Sequence, residues 1–512
     1  MKKIKEDKGR YVAFSDENRK RHPWLLLRLT SLIYFCLLST FLCLSLSSCS
    51  KREAKDKTDA LPEIFPDYIG VTVPENICPM NFSVPGAEHV RVIVENGNGE
   101  ALDVSGTDHV EMPVKRWHNL LSSKSSELKE GTKDLKITVS AWNEEHPDGV
   151  TYKPFTINVA HDKVDPWIAY RLLPPGYEGW NHIGIYQRNM ECFDVEPIIV
   201  NSQNNHGCVN CHSFANYNPL DFTFHARGEN GGTIVMRDGK MRKVDIKEMS
   251  GGRHGSYNIW HPSKRYIAFS SNSTHQGFYG QSKNKIEVYD LWSDLIVYDI
   301  DKEIVLQDER FIDSLNLEMF PSFSPDGKWL YFSTAKPVKM PMETDKLHYS
   351  IIRVPFDEET GGLGAVDTVY SAYEQGGTAM MPRISPDGRY MLFSLGECGG
   401  YNLYHTESEL KMMDLQTQEM VPTDILNSPR AESFHAWSSN GRWVIYVTKR
   451  FDGRYTRLML AYWDGHKFHK PFLLPQKDPE ENTLLMMAYN VPEFIKAPVV
   501  VSKEEMAKLF EK

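Results

Sequence analysis

Between about Asp67 and Ala160 apolar and polar residues alternate with a period of two. Val90, Val92 and Val94 alternate with polar neighbours in the run His89 to Glu95, and Leu135, Ile137, Val139 and Ala141 do the same in the run that ends at Trp142. That period marks strands with one buried face. Asn96-Gly97-Asn98-Gly99, Ser105-Gly106 and Pro147-Asp148-Gly149 supply the turns between them. From Asp165 onward the alternation continues, but in repeated units. Four segments share one phrase: His261-Pro-Ser-Lys-Arg-Tyr-Ile-Ala-Phe-Ser270, Ser324-Pro-Asp-Gly-Lys-Trp-Leu-Tyr-Phe-Ser333, Ser385-Pro-Asp-Gly-Arg-Tyr-Met-Leu-Phe-Ser394 and Ser438-Ser-Asn-Gly-Arg-Trp-Val-Ile-Tyr-Val447. Their starts are 63, 61 and 53 residues apart. In each, Pro-Asp-Gly or its equivalent is a tight turn joining two strands; in the last three, Gly takes the left-handed conformation and Asp or Asn bonds the local backbone. A second strand pair follows, such as Leu295 to Ile300 or Leu410 to Leu415.

Four strands per period of this length is one blade of a β-propeller. Weaker matches extend the count. Ser213-Phe214-Ala215-Asn216-Tyr217 falls where Ser322 to Asp326 falls in its own repeat, and Phe222 to Ala226 and Thr233 to Met236 supply the strands that follow. Ile168 to Val200 and Leu484 to Val501 can complete a further blade from both ends of the chain. The fold class is therefore all-β: an N-terminal immunoglobulin-like β-sandwich over residues 67–162, with a short helix near Lys115 to Leu121, then a six-bladed β-propeller over 163–502 and a tail over 503–512. The sandwich holds no cluster of catalytic residue types and reads as a spacer or docking module. Asp326 and Asp387 sit in turns, where a carboxylate serves the backbone rather than acid–base chemistry.

The repeated phrases resemble the blades of TolB-type, WD-like β-propellers of bacterial envelopes, whose repeats read Phe-Ser-Pro-Asp-Gly-Lys/Arg followed by an aromatic and apolar strand. The resemblance spans roughly residues 165 to 500 and implies a platform that binds other envelope proteins. Insertions make these blades longer than usual.

The first 48 residues read as a targeting segment. Lys2, Lys3, Lys5, Lys8, Arg10, Arg19, Lys20 and Arg21 precede an apolar run from Leu25 to Leu46. The run ends in Leu46-Ser47-Ser48-Cys49, which resembles the bacterial lipobox and implies lipidation of Cys49. An uncleaved membrane anchor is the competing reading. Either way the bulk of the chain is expected outside the cytoplasm, lipid-anchored in the envelope, at the periplasmic or outer-membrane surface. Residues 49–66 are charged and poor in apolar side chains, as in a solvated tether. The chain has a net charge of −10, and without residues 1–48, which hold nine Lys or Arg and four Asp or Glu, it carries −15. Such acidity argues against nucleic acid as a partner.

Cys208-Val209-Asn210-Cys211-His212 is the Cys-x-x-Cys-His pattern of covalent c-type haem attachment. It predicts one haem c, with Cys208 and Cys211 as thioether sites and His212 as the proximal iron ligand. A zinc site would need a second ligand pair, which the sequence lacks, and a thioredoxin-like dithiol would open a helix, whereas this stretch is polar and loop-like. Aligning the repeats puts His212 in the column of Asn258, Pro321, Pro382 and His435, in the approach to a blade's first strand. The sixth iron ligand is then sought among His206, His254, Met319, Met380, Met381 and His435. His254 is preferred, because the glycines around it let backbone approach a porphyrin.

Three functions follow from these residues. The leading expectation is a membrane-anchored cytochrome that passes electrons to a redox partner protein. The alternatives are a TolB-like platform for an envelope protein complex, with no redox role, and a haem enzyme with an open iron site. Gly-x-Ser-x-Gly, His-Glu-x-x-His and Walker patterns are absent from the sequence, which disfavours the common hydrolase and nucleotide chemistries.

Overall fold

The repeated phrase closes its turn with the same side-chain bonds in its last three copies. The Ser324 hydroxyl donates to Asp326 over 2.6 Å, the Lys328 N–H donates to the same carboxylate, and the Trp329 N–H donates back to Ser324. Gly327 holds φ at +73°. Ser385 with Asp387 and Ser438 with Asn440 repeat the arrangement. Burial pushes Asp326 up, but the bonds from Ser324 and Lys328 outweigh it and hold the carboxyl below its ordinary value. The turn aspartates are structural, as expected. In the earliest of the four repeats His261 takes the serine's place, with Nδ1 2.7 Å from the Ser263 hydroxyl and Nε2 3.0 Å from the Gly327 carbonyl of the next turn.

The computed structural model describes residues 52–122, 132–175, 181–280, 283–313 and 315–511. The expected signal peptide and Cys49 lie outside the described residues. Six four-stranded sheets follow one another along the chain. Their innermost strands, in order around the ring, are Ala488–Ile495, Val209–Phe214, Ser256–Trp260, Leu317–Phe323, Thr378–Ile384 and Glu432–Trp437. Each packs on the next, and the last returns to Ala488–Ile495. The chain is therefore a closed six-bladed β-propeller. Its first blade draws the strands Trp167–Leu173, Gly184–Asn189 and Val195–Val200 from the beginning of the ring and the innermost strand from the end. Phe494 pairs with Ile168 across that seam, and Asn490 with Arg171. The residues after the ring also pack down: Met506 and Phe510 are buried beside Ile185, Cys208 and Phe224.

The N-terminal strands are β1 (Asp56–Lys57), β2 (Thr72–Pro74), β3 (His89–Asn96), β4 (Ala101–Gly106), β5 (Thr132–Trp142), β6 (Val150–Thr151) and β7 (Phe155–Ala160), with helix α1 (Val114–Ser122) between β4 and β5. The period-two reading holds here: Val90, Val92, Val94, Leu135, Ile137 and Val139 are all buried. The strands hydrogen-bond into one mixed sheet, with β1–β6 and β2–β7 parallel, and two separate sheets of an immunoglobulin-like sandwich are not seen among the described residues. Trp117 of α1 is buried and donates its indole N–H to the Ile77 carbonyl over 3.1 Å.

This sheet is fastened to the propeller. Residues Ala54 to Lys512 form one compact unit, with one continuous core running from Val90 and Leu135 to Trp443 and Leu460. Asn81 donates to the Lys477 carbonyl over 2.9 Å, Ser83 donates to Glu480 over 2.6 Å, and the Trp443 indole donates to the Asp162 carbonyl over 2.9 Å. Arg188 of the first blade donates to the Pro475 carbonyl and to Gln476. The stretch read as a tether is engaged from Asp56 onward, with Ile64 and Pro66 buried.

Candidate functional site

Every innermost strand breaks register with its outer neighbour at one equivalent point. Each break is a bulge carrying a left-handed residue other than glycine: Cys211 (φ +52°), Tyr257 (+44°), Phe320 (+53°), Met381 (+59°), Phe434 (+34°) and Val491 (+45°). The left-handed conformation costs an L-residue about 1–2 kcal/mol, and a bulge re-aims the side chain it carries. All six side chains face the same space on the propeller axis, and the residue after each, His212, Asn258, Pro321, Pro382, His435 and Pro492, lines it too. The column containing His212 is thus the one that repeat alignment gives. All of the motif after Cys208 lies within the innermost strand of the second blade, Val209–Phe214, rather than in the loop before it.

The ring of bulges plugs the channel. Tyr257 and Phe320 meet edge to face with centroids 4.6 Å apart, Phe320 and Phe434 at 6.5 Å, and Tyr401 adds its ring 5.8 Å from Phe320. Tyr401 comes from the insertion after Tyr390–Gly396 of the fifth blade and donates to both carboxylate oxygens of Asp290, at 3.1 and 3.0 Å. Asp290 lies on the extended hairpin of the third blade, Tyr266–Phe278 and Ile286–Asp299, and also accepts from Asn272 and Thr274. Burial raises this carboxyl, against the pull of those three donors. Nearby, His405 Nε2 lies 3.0 Å from Glu287, so the two insertions are clasped at a second point. These contacts close the end of the channel away from the Pro-Asp-Gly turns.

The haem reading does not survive this geometry. Cys208 is packed with Val209 and Phe224 in the core between the first two blades, whereas Cys211 faces the axis. The space beside Cys211 and His212 is about 30 Å3, room for a water or two and not for a porphyrin. Among the described residues no group of three or more His, Cys, Asp or Glu converges as a metal site. His254 packs against His225, with centroids 6.3 Å apart, and does not line the channel. His206 is exposed in a turn, and Met319 and Met380 are core residues. Only Cys211, His212, Met381 and His435 of the proposed haem set meet on the axis. The assignments of haem c, of His212 and His254 as iron ligands, and of a cytochrome or haem enzyme are therefore corrected. All five described cysteines, Cys78, Cys192, Cys208, Cys211 and Cys398, are free.

His212 remains unusual. It is 2% exposed, and neither ring nitrogen has a hydrogen-bond partner of ordinary geometry. Burial, with Arg171 adding to it, pushes the imidazole down to about 3, so it is neutral at ordinary pH. His435 is held at about 3 by burial as well, and its Nε2 sits 2.9 Å from the Leu392 carbonyl. That bond fixes the proton on Nε2 and leaves Nδ1 unpartnered.

Toward the Pro-Asp-Gly turns the channel opens into a funnel of about 350 Å3. Two residues beyond each innermost bulge position, roughly one strand step lower, stand Ser213, Ile259, Ser322, Arg383, Ala436 and Glu493; then come Phe214, Trp260, Phe323, Ile384, Trp437 and Phe494. Of the first set all but Ser213, and all of the second, line the funnel, with prolines 262, 325 and 386 at its rim. Arg383 borders both the funnel and the axial space above it. Its guanidinium is 3.8 Å from Glu493, which accepts the Phe214 backbone N–H over 3.0 Å. Burial drives Glu493 up to about 7, with Arg383 and the Phe214 N–H opposing it. Lys496 is exposed at the rim, its ammonium 5.7 Å from the Tyr217 ring centroid.

Sequence reasoning passed over Arg383, Glu493 and Lys496. The signal was present in the repeat alignment: Arg383 and Glu493 are the two charges in a column otherwise filled by Ser, Ile and Ala.

No protein-family model matches the chain, and no curated protein matches it. Among solved structures, TolB from Acinetobacter baumannii is similar over 75% of this chain and 85% of its own, at 13% identity and a TM-score of 0.40. A puromycin-hydrolysing peptidase from Mycobacterium tuberculosis is similar over 68% of this chain and 52% of its own, at 11% identity and a TM-score of 0.36. An oligogalacturonate lyase in complex with manganese is similar over 59% and 72%, at 10% identity and a TM-score of 0.34. At these values the propeller rests on the strand pairings themselves, and no activity is carried across.

Proposed function

We propose that this chain is a binding propeller of the bacterial cell envelope that docks a segment of a partner protein in the open mouth of its ring, without a redox role. The funnel carries this reading: a concave space of about 350 Å3, walled by aromatic and proline side chains with a few charged groups at its floor and rim, has the make-up of a ligand site. A propeller fold hosts many activities, so it is the mouth and not the fold that supports this role. The basic start, the apolar run and Ser47-Ser48-Cys49 support export and lipid anchoring at Cys49. Among the described residues no helix is long and apolar enough to cross a membrane. The N-terminal sheet is read as an accessory module that braces the ring where its two ends meet.

The test is site-specific photo-crosslinking in intact cells from position 437, in the funnel wall, and from position 366, where Val366 is exposed on the outer surface. The proposal expects one discrete adduct from position 437 alone. Equal labelling from both positions, or none from 437, contradicts it.

A further inference from the structure

The funnel is blind. Above its floor the axial space shrinks to about 30 Å3 and ends against Tyr257, Phe320 and Phe434, which Tyr401 backs. A polypeptide cannot thread through, so an occupant enters and stops. A reversing loop must fit two chain passes side by side, whereas a chain end needs one.

The charge at the stopping point selects which end. Arg383 stands at the junction of funnel and axial space. Its nearest carboxylate, Glu493, is 3.8 Å away, beyond hydrogen-bond reach, and the guanidinium donates no hydrogen bond among the described residues. Lys496 makes no ion pair among the described residues, only the contact with Tyr217. Two cations with unused donors thus face the funnel in a chain whose net charge is −10. An N-terminal ammonium would be repelled there, and a carboxylate attracted. Resting on the docking function proposed above, we infer that the funnel receives the C-terminal end of a partner polypeptide, its terminal carboxylate held by Arg383 and steadied by Lys496. The guanidinium fork matches both carboxylate oxygens, a geometry an ammonium cannot offer. Phe214, Trp260, Phe323 and Trp437 then flank the last side chains of the guest.

The test uses the full chain and three pools of N-terminally fluorescein-labelled random hexapeptides: one with free C-termini, one amidated, and one amidated with a single internal Asp. Retention on immobilised protein is measured for wild type, Arg383→Gln, Arg383→Lys and Lys496→Gln, each checked for folding by its thermal melt. The free-acid pool is expected to be retained. Amidation or Arg383→Gln should weaken retention about ten- to hundredfold, as loss of a charge-assisted hydrogen bond does. Arg383→Lys should restore part of it, and Lys496→Gln should cost about threefold, in the range of exposed charges. Equal retention of the amidated pool overturns the carboxylate assignment while leaving a docking mouth. Retention of the amidated Asp pool at the free-acid level overturns the chain-end assignment. Retention of no pool overturns the inference as a whole, and the crosslinking experiment then judges the docking function separately.

Discussion

Arg383 of the fifth blade and Glu493 of the first lie 3.8 Å apart across the open mouth of the ring, with the sixth blade between them in sequence order. The pair is close enough for attraction and too long for a hydrogen bond. Glu493 accepts the Phe214 N–H on its other carboxylate oxygen, and at 3.8 Å the guanidinium keeps its donors for something else.

Glu493 sets a pH signature. Its native value is about 7, against an unfolded value near 4.3. Between those values the native state holds a proton that the unfolded chain has released, so this group's contribution to stability falls as pH rises through the window and levels off above about 7. The shift corresponds to an upper limit on the order of 4 kcal/mol. Glu493→Gln should remove that slope and be the more stable protein at pH above about 7. Urea unfolding of both proteins across the window checks it, and parallel pH curves would contradict it.

The two axial histidines act in the opposite direction. His212 and His435 are held at about 3, below the unfolded value near 6.5. Their contribution is full above about 6.5 and is lost as pH falls toward about 3, because the unfolded chain takes up protons that the native state refuses. NMR of ring protons should show both imidazoles neutral throughout neutral and mildly acidic pH, and titration of either near its ordinary value would contradict the burial seen here.

Cys208 and Cys211 are free thiols in separate surroundings. Denaturing alkylation followed by peptide mass spectrometry should find both modified by the reagent, including in protein made in a host with cytochrome c maturation machinery. A covalent porphyrin adduct on this peptide would contradict the channel geometry.

Closure of the ring depends on the strand Ala488–Ile495. Phe494 is 1% exposed and pairs with Ile168 across the seam, so Phe494→Ala should cost about 3–5 kcal/mol. Calorimetry reads this directly, and a loss below about 1 kcal/mol would show that the seam is not where the ring is held.

Much of this was legible in the sequence because repeats multiply weak signals. The Ser-Pro-Asp-Gly turns gave the blades, the two incomplete ends gave the seam, and the column of His212, Asn258, Pro321, Pro382 and His435 is the ring on the axis. Cys-x-x-Cys-His misled because a pentapeptide carries no burial: a bulge in an inner strand sends Cys211 to the channel while Cys208 stays in the core. The single mixed N-terminal sheet was hidden for another reason. Period two reports which residues face a core, and among the described residues α1 and the propeller, rather than a second sheet, supply that core. Arg383 and Glu493 escaped notice because each is an ordinary surface residue until the ring brings them together.

The most direct measurement of the central claim is photo-crosslinking from position 437 in the full chain, with and without Arg383→Gln, followed by mapping of the crosslinked partner residue. The proposed docking predicts one partner, joined within a few residues of its C-terminus, with the adduct lost in Arg383→Gln. An adduct that persists unchanged in Arg383→Gln would contradict Arg383 as the anchor, and no adduct from position 437 would contradict docking in the mouth altogether.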